Sequence, residues 1–464
     1  TSSTTYSTPY QSLGARGVNN LANKIVLSLF PPATAFFKLN ANQLAKQQSG
    51  VSDGDMQNAM QIVEKGIVNE MEVSQLRSVL VDVMKQGIVG GSAVIYIPEE
   101  DKPKSFTLRQ FGVKRTRSGT VLKLVIKEQV NFLELPLDVQ GSLGELDDKE
   151  LDGSKSLDLY TMIVRVEGGN YEVIQEVKGI KIKGSEATYK ENELPYIFVP
   201  FVDRREDYGR SYVEDYIGDL QSYEGLRQAI LEAAAESARL IYLVKPNAVL
   251  TPKKLQKAAS GDVIQGNADD VKVLQADKRL DVQMAQQEAD ILRMDLATIF
   301  LLDSAVRRDA ERVTAEEIRR VAQELEVALG GVYSTQANTV QEPLVRLYLK
   351  RLVKKGLIKD ILKSNLELEI TTGSAALGRG TQFSAISSFL QAAQQLLGEK
   401  FSEYVIVPEA LNRMAYSLDV NTGDLVKSTE QIQMEQQQAH QQQLDQNAVA
   451  PAINAANQQA LAKE

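Results

Sequence analysis

Two long helical periodicities, separated by roughly thirty residues of different character, constrain this chain more than any other feature. From Ser211 to Val244, apolar residues recur at gaps of three and four: Val213, Tyr216, Ile217, Leu220, Tyr223, Leu226, Ile230, Ala234, Ala238 and Ile241. That spacing writes one helical face, about 50 Å long if unbroken at 1.5 Å per residue, and Pro246 ends it. Asp281 to Leu302 carries a second helical pattern. Between them Pro252, Gly261 and Gly266 break the periodicity, with short strands expected at Val263-Ile264 and Val271 to Leu274 and a small Lys-rich helix among them. Two helices joined by so short an insert must run out and back, as a helical hairpin carrying a small tip.

The stretch that follows, LATIFLLDSAVRRDAERVTAEEIRRVAQELEVALGGVYS (296–334), reads as a helix end, a charged loop and a longer helix. The loop from Asp303 to Val313 sets Arg307, Arg308 and Arg312 against Asp303, Asp309 and Glu311. Thr314 followed by Glu317 is a capping box, so the next helix should start there. Ile318, Val321, Ala322, Leu325, Ala328, Leu329 and Val332 then share a face, with Glu316, Arg319, Arg320, Glu324 and Glu326 mostly turned away. Gly330 and Gly331 interrupt that face, and each costs about 1 kcal/mol against alanine in a helix, so a bend or break is expected there. The helix continues to Gly356, kinked near Pro343.

Elsewhere, Leu13 to Phe30 reads as a helix stopped by Pro31-Pro32, and Met56 to Met84 as a second helical region ended by Gly87, Gly90 and Gly91. The pattern there is less clean around Glu70–Ser74. Val94 to Ile97 is a short apolar run. Lys114 to Lys127 reads as a hairpin turning at Ser118-Gly119, and Leu159 to Val166 pairs with Tyr171 to Ile182 across Gly168-Gly169-Asn170. The acidic, turn-rich segment from Gly141 to Asp158 is expected to be a surface loop. Residues 1–205 therefore form a mixed α+β block. Residues 375–430 are helical with a break at Val405–Pro408, and the Gln- and Ala-rich tail from Glu430 has the composition of a disordered segment or of a polar helix packed on copies of itself.

Composition narrows function mainly by exclusion. The chain has 464 residues, 43% hydrophobic and 24% charged, enough for two to four compact units. Lys+Arg 52 against Asp+Glu 61 gives −9, so no global field draws it onto DNA. There is no cysteine, which excludes disulfides, thiolate nucleophiles and cysteine-ligated metals. No apolar run approaches a membrane span, no signal peptide is visible, and the start on Thr1 rather than Met points to an upstream segment. No Gly-x4-Gly-Lys-Ser/Thr loop exists, so the chain is no P-loop motor. The single histidine, His440, sits in the Gln-rich tail, away from any triad. Asp148, Glu150, Asp152 and Gly153 imitate a calcium loop, but its twelfth position is Leu159 rather than Glu. No metal or cofactor is expected.

With those exclusions made, 296–334 resembles the tunnel loop and long kinked helix of phage portal proteins, in particular the head-to-tail connectors of short-tailed phages. GARGVNNLANKIVLSLFPP (14–32) and YGRSYVEDYIGDL (208–220) agree, TGDLV (422–426) more weakly, and the order is consistent from about residue 6 to about residue 380. The resemblance implies an α+β, mainly helical portal fold assembled as a ring. It implies a wing over 1–210 and 314–375, stem helices over 211–243 and 277–302, a clip over 244–276, a tunnel loop over 303–313, and a crown and tail over 376–464. It further implies a ring of about twelve copies at one capsid vertex, passing duplex DNA during packaging and ejection. The implied partners are major capsid protein, scaffolding protein, terminase, tail adaptor or tail tube protein and internal core proteins, in the virion and, during assembly, the host cytoplasm. No reaction of its own is implied.

Several charged groups have two readings. Arg307, Arg308 and Arg312, with Asp309 and Glu311, form either a DNA-facing loop or a surface loop paired with its own carboxylates. Lys278 to Arg320 holds eight basic and nine acidic residues, net −1. Near-neutrality suits a channel that must not hold DNA, because each phosphate contact releases counterions and deepens binding. Arg346, Lys350, Arg351, Lys354, Lys355 and Lys359 line one side of the late helix, opposite Val345, Tyr348 and Leu352. They form either a solvated face or a contact for DNA or an acidic partner. Lys253, Lys254 and Lys257 are similarly open; in a clip they would face terminase or adaptor. The alternative to the portal reading is a monomeric or dimeric α+β enzyme of unknown chemistry, centred on the polar cluster Asp203, Arg204, Arg205, Tyr208 and Arg210.

Overall fold

The computed structural model describes residues 8–32, 36–41, 53–144, 156–237, 241–248, 251–259, 261–274, 279–302, 315–356, 368–371, 379–407, 410–411, 413–414 and 434. In chain order it opens with α1 (Leu13–Leu29), β1 (Lys38–Ala41), α2 (Asp53–Val73) and α3 (Leu76–Gly90). Strands follow: β2 (Ser92–Tyr96), β3 (Lys104–Phe106), β4 (Phe111–Arg115) and β5 (Val121–Asn131). The short helix α4 (Leu137–Gly144) precedes β6 (Ser156–Arg165), β7 (Tyr171–Val177), β8 (Ile180–Lys181), β9 (Ala187–Tyr189) and β10 (Tyr196–Pro200). The hairpin region holds α5 (Ile217–Ser237), β11 (Ile241–Val244), α6 (Pro252–Lys257), β12 (Val271–Leu274) and α7 (Arg279–Ile299). Then come α8 (Ala315–Leu329), α9 (Val332–Gln336), a π turn (Ala337–Gln341), α10 (Glu342–Lys354), β13 (Leu368–Thr371), α11 (Arg379–Leu397) and α12 (Phe401–Tyr404).

The chain divides into two compact units. The first comprises Thr1–Ser28, Gln75–Arg312 and Gln323–Gln336; the second comprises Leu29–Ser74, Val313–Ala322 and Ala337–Glu464. In the first unit β4-β5-β6-β7-β8 form an antiparallel sheet, with β9 also on β7, and β10-β2-β3 form a smaller one. Burial alternates along β4 and β6, the period-two signature of a strand with one covered face. Phe111, Leu124, Ile126, Ile163 and Val173 of the larger sheet share a core with Val94, Phe106 and Phe198 of the smaller. A second cluster closes the far end of the sheet, where Val139 and Leu143 of α4 meet Leu157, Leu159 and Val177. In the second unit β1 pairs antiparallel with β13, and α10 packs on α2.

The expected hairpins formed where turn residues marked them. Gly119 takes φ 96 between β4 and β5, and Gly168 and Gly169 take φ 88 and 83 between β6 and β7. The helix expected from Met56 to Met84 is two, broken at Ser74-Gln75 with Gln75 at φ 58, where the sequence pattern was already untidy. The hairpin region departs further. The first helix ends at Ser237, and Ile241–Val244 is a strand paired with Val271–Leu274. Ile241, Tyr242 and Val244 are β-branched or aromatic, and an available partner strand outweighs their helical spacing. Val263-Ile264 is not a strand; Val263 is wholly exposed. Part of the expected acidic loop is helical, since α4 runs to Gly144, while residues 145–155, including Asp148, Glu150, Asp152 and Gly153, lie outside the described residues. His440 lies outside them as well.

Candidate functional site

Arg307, Arg308, Asp309, Glu311 and Arg312, together with the capping residue Thr314, lie outside the described residues. The base from which that loop departs is described. Leu301 N–H donates to Thr298 O at 3.0 Å and Leu302 N–H to Ala297 O at 2.8 Å, the paired bonds of a Schellman cap. The left-handed position is Leu301, φ 53, where glycine is usual. A side chain there costs about 1–2 kcal/mol. Side chains hold the turn instead. Tyr212 Oη donates to Ile299 O at 3.1 Å. Asn20 Nδ2 donates to Phe300 O at 3.1 Å and Leu301 O at 2.8 Å. Lys24 Nζ donates to Leu301 O at 2.7 Å. Three successive carbonyls that a helix end leaves without partners are thus satisfied, and a cation sits at the negative end of the helix dipole.

Lys24 is almost fully buried, and burial lowers its pKa, partly offset by Glu324. Gly17 makes the approach possible, since a Cβ there would sit 2.5 Å from the buried Phe300 ring. The sequence offered no signal for this cap, because its donors lie 87 residues away at Tyr212 and some 280 away in α1, and its turn residue is not glycine.

On the far side of residues 303–314, α8 is described from Ala315 onward, and the capping box itself lies partly outside the described residues. Val321, Ala322, Leu325 and Leu329 are buried as the pattern required, whereas Ala328 is exposed and Val332 only half-buried. The helix breaks at Gly330, φ 59, and Gly331. Ser334 Oγ donates back to Glu326 Oε1 at 2.8 Å across the break. Gln336 Nε2 donates to Pro200 O and Phe201 O at 2.6 and 3.0 Å, fixing α9 to the end of β10. The kink expected at Pro343 takes the form of the π turn just before it. Proline has no N–H to donate and its ring clashes with the carbonyl four residues back, so the preceding turn widens.

The basic stripe of α10 divides. Arg346 bonds Glu342 one turn back at 2.8 Å. Arg351 Nε and Lys355 Nζ converge on Glu70 Oε1 of α2 at 3.0 and 2.6 Å, with Arg351 and Glu70 side chains each 10% exposed. Lys350 and Lys354 are exposed, and Lys359 lies outside the described residues. Val345, Tyr348 and Leu352 are buried opposite them as expected. Burial pushes the Tyr348 hydroxyl up to about 12, against the hydrogen bond it shares with Ser74 Oγ at 2.6 Å. At the tip of the hairpin region, Lys253, Lys254 and Lys257 are all exposed on α6.

The polar cluster near β10 is held mainly by ion pairs, with Arg210 Nε buried and without a hydrogen-bond partner among the described residues. The Arg115 guanidinium, its side chain 4% exposed, grips Asp203 with both terminal nitrogens at 3.0 and 3.1 Å, and bonds Gly119 O and Glu206 O. Lys114 pairs with Asp207 at 2.8 Å, and Arg210 pairs with Glu214 and Asp215. Arg115 holds the Asp203 carboxyl below its ordinary range. A depressed carboxylate adds stability above its unfolded pKa, near 3.9, and loses it as pH falls through the folded value. Wild-type protein should therefore lose more stability than Asp203→Asn between about pH 5 and pH 2.5. Urea midpoints at the two pH values measure it, and equal losses would refute the linkage.

Residues 1–421 match the family model described as bacteriophage head to tail connecting protein, and the chain belongs to that family. The portal protein of Escherichia phage T7 is 36% identical over 98% of this chain and 87% of its own length. That of Enterobacteria phage T3 is 38% identical over 93% and 82%, and that of Pseudomonas phage phiKMV 30% over 93% and 86%. Among the described residues no helix is long and apolar enough to cross a membrane.

Proposed function

We propose that this chain is one subunit of a portal ring of about twelve copies, closed by repeating a single heterologous contact. The observation that carries the reading is the family match across residues 1–421, with portal proteins similar over nearly the whole chain. The ring sits at one capsid vertex, passes duplex DNA in and later out, and catalyses no reaction itself. In this reading α5 and α7 belong to the stem, α6 and β12 to the clip, and residues 303–313 to a tunnel loop facing DNA. The flanking parts are a wing over 1–210 and 314–375 and a crown and tail over 376–464, with Gly330-Gly331 as the hinge of the long helix.

The rigid cap at Leu301 supports the loop assignment, since a loop that meets moving DNA needs a fixed base. Lys253, Lys254 and Lys257 would meet terminase and then the tail adaptor. Major capsid protein, scaffolding protein and internal core proteins are the remaining partners, and Lys350 and Lys354 are candidates to meet DNA or one of them. The virion is its destination, the host cytoplasm its place of assembly.

Sedimentation velocity and negative-stain imaging of the purified chain test the ring: a species of one or two chains at every concentration would sink it. Replacing Arg307 and Arg308 together by alanine should leave rings intact and impair DNA packaging or retention. Unchanged genome length and infectivity would remove the loop's role.

A further inference from the structure

The helical pair α5 and α7 is thinly covered for its length. Of the 21 residues of α5 only Tyr223 is buried, while Ile217 and Leu231 are 52% and 45% exposed. On α7, Leu280, Met284, Ile291 and Met294 are 77%, 66%, 48% and 52% exposed. With Gln287 and Thr298 they step by alternating gaps of four and three, which is the seam of a helix that packs against another surface. An exposed apolar seam of this length marks an interaction face rather than scattered surface residues. Asp281, Glu288 and Asp295 recur every seven residues beside it, all exposed and none with a partner among the described residues.

The opposite side of the pair carries the complementary charge. Arg293, two residues from Asp295 and so about 200° around the helix, borders a cleft of about 420 Å³. Arg16 of α1, Arg227 of α5, Tyr10 and Tyr223 also line it. Arg293 leans on Asp290 at 3.7 Å. Glu224 of α5 accepts the Tyr10 N–H at 2.6 Å through Oε1, and its Oε2 is buried without a hydrogen-bond partner among the described residues. Arg16 and Arg227 have no carboxylate partner among the described residues.

We propose that these are the two halves of one contact: the acidic row and apolar seam of α7 in one copy dock on the Arg16–Arg227–Arg293 cleft of the next. The proposal deepens the ring reading and rests on it. A two-fold contact would set one patch against itself. Two unlike, complementary patches on opposite faces make a head-to-tail contact that repeats until it closes. Charge selects this occupant over duplex DNA, which the arginines attract but the carboxylate row repels.

The test uses the full chain, with sedimentation velocity and negative stain across a concentration series. Arg16→Glu with Arg227→Glu in one variant, and Glu288→Arg with Asp295→Arg in another, should each raise the ring-forming concentration about tenfold or more. Circular dichroism checks that both remain folded. Mixed in equal amounts, the two should form rings again, because every contact in an alternating ring is then charge-matched. Variants that assemble like wild type, or defects that mixing fails to rescue, overturn the proposal. Normal rings with weakened binding of duplex DNA would assign the cleft to nucleic acid and overturn it too. Wild-type protein that never forms rings defeats the ring reading itself, and this contact with it.

Discussion

Replacing Gly91 by alanine is expected to lower the stability of the first unit by about 3 kcal/mol, the sum of a left-handed backbone penalty and overpacking. Gly91 ends α3 at φ 80, and its N–H closes the helix on Gly87 O at 2.9 Å. A Cβ there would lie 2.3 Å from Gly209 O and 2.8 Å from Arg210 C and Ser211 N, all backbone atoms. Gly209 faces it with the same problem, at 2.5 Å from Gly91 O. The two glycines let the chain leaving β10 cross the end of α3 backbone to backbone, and Phe201 N–H bonds Gly91 O at 2.8 Å there. Gly179→Ala is the control, since Gly179 has φ 80 and nothing within 4 Å of its added Cβ. Chemical denaturation that shows equal losses at the two positions would refute the backbone-crossing argument.

The second large effect is expected at Glu70→Ala, about 3 kcal/mol in the second unit, because it removes a buried carboxylate from the buried Arg351 guanidinium. Glu70 is no ordinary surface acid: its side chain and that of Arg351 are each 10% exposed. Lys355, the other cation on the same oxygen, is 40% exposed. Lys355→Ala should therefore cost no more than about 1 kcal/mol, the range of a solvated pair. Denaturant midpoints for the two variants decide it, and a Lys355→Ala loss as large as that of Glu70→Ala would contradict the burial argument. The pair also bears on function. Arg351 is committed to α2, so any contact of the stripe with DNA or a partner protein falls to residues such as Lys350 and Lys354, which are exposed.

Much of the site's framework was legible beforehand. The break at Gly330-Gly331 and the distortion at Pro343 both follow from φ limits and missing donors within a few residues of the feature. The hidden parts have remote causes. The cap on α7 depends on Asn20 and Lys24, and the stripe's division depends on Glu70; neither α1 nor α2 is near its target in sequence. Arg115 likewise reaches Asp203 across 88 positions. Charge runs in a sequence show what a face could do, but a carboxylate elsewhere decides whether it is free to do it.

Taken alone, the order of residues determined where the chain could be helical, where it had to turn, and which faces were apolar, because periodicity and backbone sterics act within one or two turns. Only the tertiary structure decided that Ile241–Val244 leaves its helical pattern to pair with Val271–Leu274, and that Lys38–Ala41 finds Leu368–Thr371. A strand's hydrogen bonds are made to another segment, so its existence depends on what folding brings alongside it.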